Sequence, residues 1–154
     1  NFTNLFSKLS FMPIIPIVGF NYKFQPVLVT DLADVIIKAI EKKGNEGKIY
    51  EIGGPKILTF ENMVRSILKT INKKRFVIEM PKAVAKFQGS IMELLPMKPI
   101  LTKDQCEILS EADNIVSNKE LTINDLNIKP KDVEQAMEKW LWRYRDGGEF
   151  AKAK

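Results

Sequence analysis

Residues 24–34 read FQPVLVTDLAD, and in this stretch a strand pattern is followed directly by a helix pattern. Phe24–Val29 is rich in β-branched and aromatic side chains, which favour a strand, and Thr30 is a common type of helix N-cap. The apolar residues of the predicted helix, Asp31–Lys42, recur with the helical period and are Leu32, Val35, Ile36, Ala39 and Ile40. The segment from Gly44 to Gly47 ends this helix, and a second strand is predicted over Lys48–Ile52. A strand, a helix and a strand with short connections normally belong to a parallel sheet, so the sequence predicts an α/β fold.

Helical periodicity is clearest after the turn Gly53-Gly54-Pro55. Thr59 is predicted to cap a helix at this point. The residues expected on its buried face share the 3.6-residue period and are Phe60, Met63, Val64, Ile67, Leu68 and Ile71.

The other predicted elements lie on either side of this helix. Residues Asn1–Met12 form a helical pattern that Pro13 stops, Ile14–Val18 is extended, and Arg75–Met80 is a strand. Helices are predicted over residues 81–95 and from Thr102 to about Glu111. A last helix is predicted to begin at Pro130 and to face inward with Val133, Ala136, Met137, Trp140, Leu141 and Tyr144, before a frayed tail over residues 147–154.

Composition excludes several classes of function. The net charge is +5, but all except four of the 24 basic residues are Lys and they are spread along the chain, which does not favour nucleic-acid binding. The chain has no His and one Cys, so imidazole catalysis, an internal disulfide and a zinc cluster are not expected, and Cys106 is interpreted as a packing residue. The longest uncharged stretch, Leu9–Tyr22, is shorter than the roughly 20 residues that span a bilayer.

Several short motifs occur in a characteristic order: FQPV at 24–27, YEIGGP at 50–55, LLP at 94–96 with LTKDQ at 101–105, and DNIVS at 113–117. In this order they resemble the C-terminal third of extended and atypical short-chain dehydrogenase/reductases, the NAD-dependent epimerase/dehydratase superfamily. Within it, the chain is most similar to the group that contains the NAD(P)-binding accessory subunit of respiratory complex I (NADH:ubiquinone oxidoreductase) and its bacterial relatives. The resemblance implies that residues 1–146 are the C-terminal, substrate-side lobe of a Rossmann-type NAD(P)-binding fold, whose nucleotide-binding half is absent from this chain.

The chemistry of that family is expected outside the present chain. A dinucleotide site needs a glycine-rich turn after a first strand, whereas Gly44 and Gly47 follow a helix and have no third glycine in phase. The family pairs a catalytic Tyr with a Lys four residues later, and none of the three Tyr residues has such a Lys. We therefore expect no catalytic, cofactor-binding or metal-binding residue here, and the resemblance implies NAD(P) only for the full-length protein.

Two residues are candidates for the substrate side. By resemblance, Phe24 and Gln25 face the cleft that holds the substrate or the nicotinamide end, although Gln25 could also be an ordinary polar residue on a half-buried strand. Asp31 and Asp34 are interpreted as structural acids at a helix N-terminus. Trp140 and Trp142 are two positions apart and cannot both face inward, so Trp142 with Arg143 and Arg145 could mark a docking surface.

The partners and the location are expectations of the same kind. The unfinished sheet and apolar flanks such as Phe2, Phe6 and Phe11 predict that the chain self-associates or binds the N-terminal nucleotide-binding half. The resemblance adds respiratory complex I as a partner and a position peripheral to the inner membrane, while the cysteine usage and the abundance of Lys, Ile and Asn favour the bacterial cytoplasm. The alternative is a free-standing α/β protein-interaction module. Whether the full-length protein is an enzyme stays open.

Overall fold

The computed structural model describes residues 2–81, 83–84, 113–117 and 119–151, and within them the chain is a mixed α/β structure. The six short strands are β1 (Ile14–Ile17), β2 (Lys23–Phe24), β3 (Tyr50–Glu51), β4 (Leu58–Thr59), β5 (Phe76–Glu79) and β6 (Leu121–Thr122). The helices are α1 (Phe2–Leu9), α2 (Val29–Glu41), α3 (Phe60–Thr70), α4 (Val133–Ala136) and α5 (Glu138–Leu141), with 3₁₀ turns at Ile123–Leu126 and Trp142–Tyr144. None of the helices described is long and apolar enough to cross a membrane.

The larger hydrophobic core lies where α1, β1, α3, β5 and α5 meet. The sequence prediction for α3 is confirmed, because Thr59 caps the helix by accepting a hydrogen bond from the Asn62 amide at 3.2 Å. The buried face of α3 consists of Phe60, Val64, Ile67 and Leu68, with Ile71 just after the helix. The prediction that Phe6 is an uncovered flank is wrong: its ring packs edge-on against Phe60 and it is almost fully buried.

A smaller core forms between α2, β3 and the 3₁₀ turn at Ile123–Leu126. Helix α2 contributes the buried side chains of Asp31 and Val35. The predicted inward positions Leu32, Ile36 and Ile40 are instead exposed, and Ile40 retains 80% of its accessible surface. The reason is that α2 is apolar around most of its circumference, so the sequence period does not single out the face that is buried.

The strands pair differently from the predicted strand–helix–strand unit. Among the residues described, β1 pairs with β5 in parallel, β2 with β4 antiparallel and β3 with β6 in parallel. The two strands that flank α2 therefore do not pair with each other. Strand β2 stops after two residues because Pro26 has no N–H to donate to a ladder, and the predicted strand over Phe24–Val29 is shortened accordingly.

Helix boundaries also differ from the sequence predictions. Helix α2 begins at Val29, so Thr30 lies inside its first turn and is not the N-cap. The predicted C-terminal helix begins at Val133 instead of Pro130, with Asp132 as its cap, and it is divided into α4, α5 and a 3₁₀ turn. The tail folds back here, since the Phe150 amide donates to the Arg143 carbonyl at 2.8 Å. Two predicted helices lie wholly or mostly outside the described residues: the one from Thr102 to Glu111, which contains Cys106, and most of the one over 81–95.

Candidate functional site

The predicted cleft residues Phe24 and Gln25 lie at the end of β2, where three segments of chain meet. The half-buried Phe24 ring packs edge-on against Phe60, with 5.7 Å between the ring centroids. The backbone N–H of Gln25 donates to the Asn114 carbonyl at 3.0 Å, and the backbone carbonyl of Gln25 accepts from the backbone N–H of Gly54 at 3.3 Å. Backbone hydrogen bonds thus join the end of β2 to the glycine turn and to residues 113–117.

The Gln25 side chain strengthens the same junction. Its Nε2 donates to the Gly54 carbonyl at 2.9 Å, and its Oε1 accepts from the Val116 amide at 3.2 Å. Because a carboxamide has two N–H groups and two lone pairs, one donor and one acceptor position remain for a further contact. Within the described residues Gln25 therefore acts as a structural clamp, and its contact with a substrate stays a prediction.

The glycine turn lies so close to this junction that side chains would not fit. A Cβ atom at Gly54 would be 1.9 Å from the Pro26 carbonyl oxygen, and one at Gly53 would be 2.6 Å from Cδ of Gln25. This close backbone approach, rather than an open ligand cradle, explains why two consecutive glycines follow β3.

A buried carboxylate fastens the C-terminal segment to the start of α2. Asp31 is only 1% exposed, and it accepts from the Lys131 backbone amide at 2.7 Å and from Lys131 Nζ at 3.0 Å. Burial alone would raise the pKa of Asp31, but the hydrogen bonds and the charge of Lys131 outweigh it and hold the pKa below its ordinary value. Asp31 lies in the first turn of a helix, as the sequence predicted, and its main partner is a lysine 100 residues away.

A second polar network joins α3 to α4. Lys56 Nζ lies 2.6 Å from Asp132 and 2.9 Å from Glu134, and the Ser66 hydroxyl donates to the other oxygen of Glu134. The hydrogen bonds that the Lys56 ammonium group donates to Asp132 and Glu134 raise the pKa of Lys56. Ser66, followed by Lys56, lowers the pKa of Glu134, whereas a general base acting near neutral pH needs a raised carboxylate pKa. The lowered pKa therefore does not favour Glu134 as a general base for Ser66.

Lysine side chains line an open groove beside this network, between residues 55–56 and 129–139, with a volume of about 590 Å³. Lys56 and Lys131 are held in ion pairs, while Lys129 and Lys139 have no ion-pair partner among the residues described. The groove therefore offers positive charge at its rim.

The N-termini of the two long helices do not suit a pyrophosphate. Helix α2 has Asp31 in its first turn and α3 has Glu61, so a carboxylate already occupies the positive end of each helix dipole. Neither helix follows a glycine-rich turn that would bring several N–H groups to a phosphate. Over the described ranges, no group of three metal-binding side chains comes together.

Sequence reasoning found Phe24, Gln25 and Asp31 but missed their partners. Asp132 is of a type that commonly caps helices, and Glu134 follows two residues later. Nothing in the neighbouring sequence indicates that Lys56 and Ser66 contact them. Trp142 is half-exposed next to Arg143, as expected for a surface residue. Arg145 is committed elsewhere, because its Nε donates to the Thr70 carbonyl at 2.7 Å.

Comparison with known proteins finds named relatives of this chain, although no family model matches it. The chain is similar to a mitochondrial NADH dehydrogenase subunit. It is 31% identical, over 92% of its length, to NADH dehydrogenase [ubiquinone] 1 alpha subcomplex subunit 9 of Arabidopsis thaliana, and 28% identical, over 97%, to that of Dictyostelium discoideum. It is 24% identical, over 86% of its length, to the NADH-ubiquinone oxidoreductase 40 kDa subunit of Neurospora crassa.

The match covers only part of each relative. The chain spans 37% of the Arabidopsis alpha subcomplex subunit 9, 42% of its Dictyostelium counterpart and 35% of the Neurospora 40 kDa subunit. Because 92% of this chain lies within the match to the Arabidopsis subunit, the similarity includes most of both hydrophobic cores.

Proposed function

We propose that this chain is the C-terminal, substrate-side lobe of an NAD(P)-binding-fold protein related to the alpha subcomplex subunit 9 of NADH dehydrogenase. The observation that carries the proposal is the match over 92% of this chain but only 37% of the Arabidopsis relative. The role that follows is to complete a larger Rossmann-type fold, with residues 1–146 forming the lobe, and not to catalyse a reaction alone.

The exposed face of α2 supports this role. Val29, Ile36 and Ile40 follow one another at helical spacing and keep 78%, 52% and 80% of their accessible surface, while Val35 on the other face is buried. We call these three residues the α2 stripe. A helix that is apolar on two faces is normally buried between two layers, so the stripe is suited to packing against a nucleotide-binding half.

In the proposed assembly, NAD(P) is held by the nucleotide-binding half, and the end of β2 with Phe24 and Gln25 forms part of the wall of the substrate crevice. The Gln25 clamp keeps the glycine turn and residues 113–117 at fixed positions beside that wall. By analogy with the named relatives, the full-length protein is a subunit of respiratory complex I, located at the periphery of the membrane.

The first test is to sequence the DNA upstream of the codon for Asn1 and to produce the continuous protein that it encodes. We expect a reading frame with a glycine-rich turn after its first strand. Calorimetric titration should show that the continuous protein binds NADH or NADPH, whereas residues 1–154 alone bind neither appreciably, because they lack the pyrophosphate turn. Micromolar affinity of the isolated chain would contradict the proposal.

A second test addresses the packing of α2. In the continuous protein, Ile36→Glu with Ile40→Glu should weaken nucleotide binding and lower the melting temperature, because each charge would be buried against the other half. Ile49→Glu with Ile57→Glu removes two similarly exposed isoleucines outside α2 and should change neither property. Equal effects of both pairs would show that α2 is not the contact. A start codon near Asn1, after unrelated DNA, would favour the free-standing module.

A further inference from the structure

A second surface, remote in sequence from the α2 stripe, begins with cations at the end of α3. Lys69 lies in the last turn of α3, and Lys73, Lys74 and Arg75 follow in the connection to β5. Lys69 and Lys74 are exposed and have no ion-pair partner among the described residues. Asp146 acts electrostatically on Lys73, and Glu61, earlier in α3, is engaged by Arg65. The segment therefore carries a clear excess of positive charge.

Exposed apolar side chains directly adjoin these cations. Phe76 keeps 76% of its accessible surface, and its pairing partner Ile14 keeps 47%. Ile78 lies two residues further along the same outer face of β5 and keeps 47%, and Met12 keeps 39% in the turn before β1. The inner positions Ile15 and Val77 belong to the larger core, so this face of the sheet points away from the core.

Several contacts hold the cationic segment that precedes β5 against the turn before β1. Arg75 Nε donates to the Ser10 carbonyl at 2.7 Å, and the Phe76 amide donates to the Pro13 carbonyl at 3.1 Å. Lys73 Nζ lies 4.1 Å from the centroid of the Phe11 ring, which fixes an ammonium group at the boundary of the apolar face. These contacts fix Lys73 and Arg75 beside the turn before β1, while the exposed side chains of Lys69 and Lys74 extend into solvent next to them.

We propose that this corner, formed by Met12, Ile14, Lys69, Lys73, Lys74 and Phe76, docks on the surface of an anionic lipid bilayer. We call it the basic–apolar corner. Lysines beside exposed aromatic and aliphatic side chains match such a surface, because the ammonium groups meet lipid phosphates while the apolar groups enter the boundary with the acyl chains. The positive charge and the adjoining apolar face together favour an anionic lipid bilayer as the binding partner.

The same residues fit other polyanions less well. A nucleic acid would use the forked guanidinium of Arg75, but that group is already held by the Ser10 and Lys74 carbonyls. An acidic protein surface would match the charges but would leave Phe76, Ile14 and Ile78 against polar groups. The inference rests on the proposed position at the periphery of the membrane and names the surface that would make the contact. It does not rest on the nucleotide-binding partner, so failure of vesicle binding and failure of nucleotide binding are distinguishable.

The test is flotation of the full chain with vesicles. One set contains phosphatidylcholine alone, and the other contains about one third phosphatidylglycerol, which gives a negative surface potential. We expect binding only to the anionic vesicles and a loss of binding as salt is added. Lys69→Gln with Lys74→Gln should weaken binding at least about tenfold, since each surface lysine contributes several-fold to membrane affinity. Phe76→Thr should also weaken it about tenfold, because the phenyl group no longer enters the bilayer.

Matched control variants show whether binding depends on the basic–apolar corner or only on the total charge and exposed apolar area of the chain. Lys43→Gln with Lys48→Gln removes the same charge from the region around α2, and Ile57→Thr removes an exposed isoleucine elsewhere; both should bind like the unmodified chain. Circular dichroism melting checks that every variant is folded. Equal binding to neutral vesicles would overturn the proposal. So would full binding by Phe76→Thr, which would indicate a general polyanion patch, or loss of binding when inorganic phosphate is added at constant ionic strength, which would indicate a phosphate site.

Discussion

Ile67 is the residue whose removal should most directly test the larger core. It is completely buried in α3, and its neighbours come from several elements that cannot all move to close a gap. We expect Ile67→Ala to lower the free energy of unfolding by about 2–5 kcal/mol, the usual cost of emptying a packed aliphatic site. Urea titration measures this as a fall in midpoint. Lys69→Ala on the exposed side of α3 is the control and should change stability little.

Asp31 should make the stability depend on pH. Because its pKa in the folded chain lies below the ordinary value of 3.8, the ionised carboxylate stabilises the fold above that pH. This contribution is lost as the pH falls through the folded pKa. We expect Asp31→Asn to cost about 1–3 kcal/mol at neutral pH, because the charge-assisted hydrogen bonds to Lys131 are weakened.

The pH series distinguishes this effect from a simple packing defect. Urea unfolding of both proteins should show that the difference between their free energies of unfolding begins to shrink near pH 3.8 and is lost as the pH falls through the lower pKa of Asp31 in the folded chain. Asp34→Asn changes an exposed acid on the same helix and should leave stability nearly unchanged. If the difference in free energy of unfolding between the Asp31 variant and the unmodified chain does not depend on pH, the carboxylate charge does not contribute to stability.

At the scale of elements, the cap of α3 is a local feature with a predictable energy. Replacing Thr59 by Ala removes the acceptor for the Asn62 amide and should cost about 0.5–2 kcal/mol. Thr59→Ser keeps the hydroxyl and should retain most of the stability. Thermal unfolding monitored by far-ultraviolet circular dichroism is a suitable measurement, and equal stability of the Ala and Ser variants would rule out the cap as a source of stability.

Elements whose sequence signals are local could be predicted, and α3 is the best example. A capping threonine, an apolar period and the absence of proline all agree there, and the observed helix and its buried face follow. The parallel strands at Ile14–Ile17 and Phe76–Glu79 were also foreseen as extended segments. Their pairing was not, because the choice of partner depends on how the chain returns through α3 and not on the strands themselves.

The candidate site could be predicted only in part, for the same physical reason. Gln25 stood out next to Pro26, but its partners Gly54 and Val116 are 29 and 91 residues away. The face of α2 was predicted incorrectly because its apolar side chains form one broad arc, and only the position of the 3₁₀ turn at Ile123–Leu126 decides that the Val35 edge of this arc is covered while Ile36 and Ile40 are exposed. Long-range contacts therefore limit what the sequence alone can give.

At the scale of the whole molecule, the chain has two cores of its own and two apolar surfaces that the residues described leave open, the α2 stripe and the basic–apolar corner. Lysines at the corner discourage association of like-charged copies, whereas the α2 stripe has no cation among its three residues. The stripe is therefore the surface through which isolated chains should meet.

We expect the isolated chain to self-associate through α2 as its concentration rises, because apolar contact between two stripes removes the exposed isoleucines from water. Light scattering after size exclusion should show a molar mass above the 17.6 kDa of one chain. Ile36→Glu with Ile40→Glu should restore the monomer, since association would bring buried glutamates together without partners. Ile49→Glu with Ile57→Glu adds the same charge outside α2 and should leave association intact. A chain that stays monomeric at high concentration and melts cooperatively would show that the α2 stripe is stable when exposed to solvent. That result would favour a free-standing module over a lobe that requires a second half.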